Sequence, residues 1–196
     1  PFITIDPPGS MDLDQALHIE PDGDGFRVRY AITDLPLFVT PGGALDREAR
    51  RRGLTIYAPD RRTPLHPPEL SEGVASLLPG QVCPAFVWDI RLAADGEVDT
   101  ATVYRAMVRS AGRTDFDTVQ DQVDSGTAEG TVALLATVGA LRMERELARG
   151  GASLPMPEQQ VFKDDNGGYS VRFRPPILAE EWNAQISLLT GMVAAD

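Results

Sequence analysis

The chain holds 196 residues, 42% of them hydrophobic and 24% charged, which excludes a disordered polymer and is enough to bury a full core. Its 29 acidic residues outnumber 18 basic ones, giving a net charge of −11, so a general phosphate-coating role is excluded, whereas an acidic cation site is not. Cys83 is the single cysteine, and His18 and His66 are the two histidines, so a disulfide framework and a cysteine-based zinc site are excluded as well.

Phe2 to Ile5 predicts a short strand, and the prolines of Pro7-Pro8-Gly9-Ser10 force a turn after it. Strand-like alternation is expected from Met11. Met11, Leu13, Leu17 and Ile19 share one parity; Asp12, Asp14, Ala16 and His18 share the other. Asp22-Gly23-Asp24-Gly25 predicts a hairpin turn into a strand carrying Phe26, Val28, Tyr30 and Ile32. A helix is expected from Ala44 to Arg52, closed by Gly53, then a strand from Leu54 to Tyr57. Ala58 to Pro68, with four prolines, predicts an extended loop. Phe86 to Leu92 and Val98 to Arg109 predict strands joined through Asp95-Gly96.

Thr127 is expected to cap a helix running to about Leu147 and ended by Gly150-Gly151. Val161 to Lys163 and Tyr169 to Arg174 should flank a turn at Asp164-Asp165-Asn166-Gly167-Gly168. From Ala179 the pattern is helical, with an apolar stripe of Leu178, Trp182, Ile186, Leu189 and Val193 and with Asn183 and Ser187 on another face. The expected class is α+β: one mixed domain with antiparallel hairpins and flanking helices. No run has the apolar length of a membrane span, and no charged-then-apolar leader opens the chain, so the expected compartment is the cytoplasm. Pro1 stands directly before a strand and the helical pattern still runs at Ala195, so both ends are expected to continue in a longer chain or a companion polypeptide.

The segment richest in chemistry is the loop bearing Asp6, Asp12 and Asp14. Asp12 and Asp14, two apart, share a face if extended, and the Pro-Pro-Gly turn can fold Asp6 toward them. Converging carboxylates repel unless a cation joins them, and magnesium suits such a set because it takes one or two carboxylates and keeps waters. Aspartates are equally common in turns and on solvated strand faces, and spacing alone leaves the two readings level. An EF-hand is excluded, because the glycine and glutamate of its loop are missing; a phosphoaspartate reading of Asp12-x-Asp14 is weak. Arg47, Arg50 and Arg51 on the first helix, with Arg61 and Arg62, read first as a solvated face pairing with Asp46 and Glu48, and second as phosphate contacts.

The stretch from Ile5-Asp6 through Met11-Asp12-Leu13-Asp14-Gln15-Ala16-Leu17 resembles the signature of the ribonuclease II and ribonuclease R catalytic (RNB) domain. Pro41-Gly42-Gly43-Ala44-Leu45-Asp46, Thr55-Ile56-Tyr57-Ala58-Pro59-Asp60-Arg61 and Pro64-Leu65-His66-Pro67-Pro68-Glu69-Leu70-Ser71 continue it in order and spacing. The resemblance implies a metal-dependent 3′→5′ exoribonuclease acting on single-stranded RNA, with Mg2+ as cofactor and Mn2+ as a substitute. It implies that Asp6, Asp12 and Asp14 take the metal and catalytic positions, with Asp14 the most sensitive. Tyr57 matches a tyrosine holding the RNA 3′ end, Phe116 an aromatic that clamps the terminal base, and Glu180 or Glu181 a glutamate near the terminal nucleotide.

Two departures stand out. Gln15 replaces the last aspartate of the family's cluster, a metal position, so it is expected to offer a neutral carbonyl oxygen in place of a charge. The family's later Ser-Pro-Ile-Arg-Arg-type segment and its flanking RNA-binding barrels are not in this sequence. The resemblance therefore also admits an RNA-binding domain of the same fold with reduced or lost hydrolysis.

Overall fold

Period-two alternation along five segments builds the centre of the molecule. The computed structural model describes residues 1–152, 157–164 and 166–195. Strands β1 (Phe2–Ile5), β2 (Gln15–Asp22), β3 (Gly25–Thr33), β6 (Val82–Leu92) and β7 (Val98–Thr114) form a closed barrel. β2, β3, β6 and β7 are successive antiparallel neighbours, and β1 closes the ring by pairing antiparallel with β2 and parallel with β7. Closure leaves no free sheet edge along the ring.

Alternation sorts the apolar side chains into two clusters. Leu17, Ile19, Val28, Tyr30, Ile90 and Leu92 pack with Val119, Leu135, Val138, Trp182, Ile186 and Leu189 of the helices. The opposite parity supplies small residues, Ala16, Ala31, Ala85 and Val87, which join Leu13, Leu77, Cys83 and Val108. The helices are α1 (Ala44–Arg52), α2 (Phe116–Asp124), α3 (Gly130–Ala148) and α4 (Leu178–Ala195). Two short hairpins complete the fold: β4 (Ile56–Tyr57) with β5 (Arg62–Thr63), and β8 (Glu158–Lys163) with β9 (Tyr169–Arg174). The α+β class is as expected. Among the described residues no helix is long and apolar enough to cross a membrane.

Several elements differ from expectation. β2 begins at Gln15, not Met11. Residues 11–14 are held instead by Ser76, whose hydroxyl donates to the Met11 carbonyl (2.6 Å) and accepts from the Leu13 N–H (3.1 Å), while Leu77 N–H donates to the Leu13 carbonyl (2.7 Å). The parity consequently breaks: Leu13 packs with Ala16, on the side opposite Leu17, and Met11 is exposed. Thr127 does not cap α3, which starts at Gly130; its hydroxyl pairs with Ser125. Helix α2 was not expected, although its start is encoded locally, since the Asp115 carboxylate accepts from the Thr118 N–H at 2.8 Å. The proline-rich loop contains β5, β4 covers only half of its expected span, and Leu178 is exposed at the start of α4. Of the expected turn between β8 and β9, Asp165 lies outside the described residues.

Candidate active site

The three aspartates lie around one end of the barrel, Asp6 and Asp12 each sharing a hollow with Asp14. Asp6 follows β1 and is fixed by its backbone N–H donating to the Thr114 carbonyl of β7 (3.1 Å). Asp14 stands directly before β2, where its carbonyl accepts from the Thr33 N–H of β3 (3.0 Å). Asp12 lies between them in the Ser76-pinned segment, 3.5 Å from the Arg62 guanidinium, which also pairs with Glu72.

Asp14 borders two hollows. One, of about 180 Å³, is shared with Asp12, Thr55, Arg62, His66 and Glu72. The other, of about 140 Å³, is shared with Asp6, Gln15, Tyr30, Phe116 and Asn183. Three chain segments far apart in sequence thus converge on the second hollow: the carboxylate loop, the first residue of α2 and the second turn of α4.

The electrostatics record this convergence. Half-burial, then the charges of Asp14 and Asp12, push the Asp6 carboxyl up to about 6, with Arg113 opposing. Asp14 stays open to solvent, yet the concave wall around it displaces enough water to raise its carboxyl, and Asp12 adds to the effect. Among the described residues no three His, Cys, Asp or Glu side chains enclose a metal ion by themselves. An open set of mutually repelling carboxylates is still the donor chemistry magnesium requires, because that ion keeps several waters.

A raised carboxylate pKa lowers native stability where the group is ionised. Asp6 would titrate near 3.8 unfolded and near 6 folded, so in chelator stability falls as pH rises through that window. Asp6→Asn is therefore expected to stabilise the chain by about 1–2 kcal/mol at pH 8, after allowance for solvent screening, and not at all below pH ~3.8. Thermal melts in chelator at the two pH values check this; equal melting temperatures at pH 8 would refute it.

The oxygen of Gln15 has a partner within the protein. The buried Tyr30 hydroxyl donates to Gln15 Oε1 and pairs with Ser187 Oγ of α4 at 2.8 Å. Cross-strand register explains the contact: Tyr30 lies opposite Leu17 and Gln15 opposite Ile32, so Tyr30 is the diagonal same-face neighbour of Gln15. Burial, the largest effect, with Asp14 and Asp6 nearby, pushes the phenol up to about 12, which keeps it a donor.

The remaining expected residues are more dispersed. Phe116 borders the Asp6–Asp14 hollow. Tyr57 is 70% exposed on β4 and lines neither hollow. The Glu180 carboxylate accepts from the Ile177 N–H (3.1 Å) and from Arg174, which closes the first turn of α4. Glu181 borders a separate depression with Met143 and Glu146. Neither glutamate reaches the aspartates' hollows. Sequence reasoning gave no role to Tyr30, Asn183 or Ser187; the available signal was the polar i, i+4 pair Asn183 and Ser187, on a different face from the apolar stripe of α4. The basic residues of α1 behave as a paired surface: Arg50 with Asp46 (3.0 Å), and Arg51 (2.6 Å) and Arg52 (2.8 Å) with Glu48.

Comparison with known proteins places the whole fold. The Exoribonuclease 2 of Vibrio vulnificus is 34% identical over 131 residues, covering 66% of this chain and 20% of that protein. The inactive exonuclease DIS3L2 of Arabidopsis thaliana is 40% identical over 125 residues, covering 62% of this chain and 12% of that protein. RNase R of Mycoplasma genitalium, solved with ribose methylated single-stranded RNA, superposes with a TM-score of 0.88 at 25% identity, covering 94% of this chain and 30% of that one. The chain thus spans about a fifth of the length of the Vibrio relative it matches. The RNB domain family matches residues 1–181, and the chain belongs to that family.

Proposed function

We propose that this chain supplies the carboxylate site of a 3′→5′ exoribonuclease that hydrolyses single-stranded RNA to nucleoside 5′-monophosphates, with magnesium as cofactor and manganese as a substitute. The observation that carries the reading is the position of Asp14, on the shared wall of two hollows and within electrostatic reach of Asp12, with Asp6 on the second hollow. Asp6, Asp12 and Asp14 would hold the cation. Such an ion supplies positive charge to the phosphate and lowers the pKa of a water.

The chain's own side chains do the rest. Asp14 orients the attacking water and takes up its proton. The water oxygen bonds to phosphorus as the bond from phosphorus to the 3′ oxygen breaks; the departing oxygen takes a proton from solvent, giving a 3′-hydroxyl on the shortened RNA and leaving the phosphate on the released nucleotide's 5′ carbon. Phe116 gives the terminal base a sequence-tolerant stacking face. Tyr57, exposed on its hairpin, is a candidate contact for the incoming strand. Glu180 and Glu181 would serve the terminal nucleotide only after rearrangement, because Glu180 is engaged by Arg174 and Glu181 lies elsewhere. The rest of the RNA path is assigned to sequence beyond these residues or to a companion chain, and the cytoplasm is the proposed compartment.

The test is incubation of the full-length protein with 5′-labelled single-stranded RNA in magnesium, manganese or chelator. A ladder shortening from the 3′ end in either metal and absent in chelator is expected. Intact RNA in both metals would overturn the reading. One observation favours a second reading, an RNA-binding domain without hydrolysis: Gln15 stands where the family's cluster has a carboxylate. On that reading Gln15→Asp creates cleavage where wild type has none; a wild type that already cleaves removes it.

A further inference from the structure

Gln15 has two polar ends, and the fold uses one of them. Its carbonyl oxygen accepts the single proton of the Tyr30 phenol. Ser187 Oγ, 2.8 Å from the same phenol, supplies the complementary proton from α4. That chain of hydroxyls engages the amide oxygen, and Gln15 itself borders the hollow shared with Asp6 and Asp14. The field of two carboxylates favours this engagement, since an amide turns its positive end, the N–H2 group, toward negative charge. Among the described residues nothing accepts from that N–H2 group.

An amide N–H2 group cannot ligate a cation, because its lone pair is delocalised and its hydrogens carry the positive charge. It can donate to an anionic oxygen, and the anion this hollow would receive is a phosphodiester. Resting on the exoribonuclease reading, we infer that Gln15 is a neutral hydrogen-bond donor to the RNA phosphate, not a ligand of the cation. The substitution of glutamine for the family's carboxylate then does two things. It removes one negative charge that would repel RNA, and it adds a donor on the phosphate side of the site. Tyr30 and Ser187 are positioning residues for that donor.

Two variants of the full-length protein separate the roles. Gln15→Met keeps length and flexibility and removes both polar ends. Gln15→Glu keeps an acceptor for Tyr30 and replaces the N–H2 group by a negative oxygen. Each is compared with wild type in two measurements: magnesium binding by calorimetry without RNA, and binding of a labelled single-stranded RNA in chelator, where nothing is cleaved. The expected result is unchanged magnesium affinity for Gln15→Met with RNA binding weakened about tenfold, the loss of one hydrogen bond to a charged group. Gln15→Glu should bind RNA more weakly still and magnesium at least as tightly as wild type. Weaker magnesium binding by Gln15→Met, or RNA binding by Gln15→Glu equal to wild type, overturns the inference alone. Wild type that binds neither the ion nor RNA overturns the exoribonuclease reading and this inference with it.

Discussion

Asp14→Asn is expected to lower the rate of RNA cleavage roughly a thousandfold or more while changing RNA affinity by less than about threefold. Asparagine keeps the shape of the side chain and the backbone bond from Thr33 to the residue 14 carbonyl, so the fold around the loop should persist. What it removes is the charge on the wall between both hollows. Its neighbours are placed differently: Asp12 faces Arg62, Asp6 borders only the second hollow, and Gln15 is neutral and bonded to Tyr30. Asp12→Asn should cost less, because Arg62 already offsets part of its charge. Single-turnover cleavage and gel-shift affinity on the same preparations separate the two effects. A variant with near wild-type rate would remove Asp14 from the reaction.

The second large effect is on stability. Helices α3 and α4 cross at Gly139, where a Cβ would come within 2.4 Å of Trp182 Cβ and 2.7 Å of its ring. Trp182, Ile186 and Leu189 form the buried side of α4, so the contact cannot open without moving that helix off the core. Gly139→Val should destabilise the chain by roughly 3 kcal/mol, at the upper end of core overpacking, and lower its melting temperature by about 6–12 °C. Because α4 also carries Asn183 to the second hollow and Ser187 to the Tyr30 hydroxyl, RNA affinity should fall with stability. Chemical unfolding and thermal melts give the first number. An unchanged midpoint would mean that the two helices do not pack as described.

Much of the fold is legible in the sequence wherever one residue's environment follows from its near neighbours. The hairpin at Asp22-Gly23-Asp24-Gly25, helix α1 with its closing Gly53, and strand β3 all have local causes: turn chemistry, capping and alternating apolar residues. Legibility fails where a partner far along the chain decides. The alternation from Met11 promised a strand, but Ser76, more than sixty residues later, takes the backbone groups that a strand partner would have used. Helix α2 escaped notice because its apolar residues are few, although Asp115 and Thr118 marked its start.

The site shows the same division. Asp6, Asp12 and Asp14 were legible through spacing and resemblance, because they lie in one short loop. Phe116 came from resemblance alone, and it does border the Asp6–Asp14 hollow. Tyr30, Asn183 and Ser187 were not legible. A tyrosine in an alternating strand reads as core, and only the register of β2 on β3 and the docking of α4 turn its hydroxyl toward Gln15. The Tyr30 partner of the Gln15 oxygen was hidden for the same reason: what an amide bonds to depends on a residue that spacing does not show.

Binding of a divalent cation by the Asp6–Asp12–Asp14 loop is tested most directly by loading the protein with iron(II) in place of magnesium and adding ascorbate and peroxide, so that hydroxyl radicals cut the backbone beside the bound ion. Cuts are expected only in the neighbourhoods of residues 6–15, 30 and 116, suppressed by excess magnesium and lost in Asp14→Asn. Cuts centred elsewhere, or cuts at these positions that magnesium does not suppress, would contradict it.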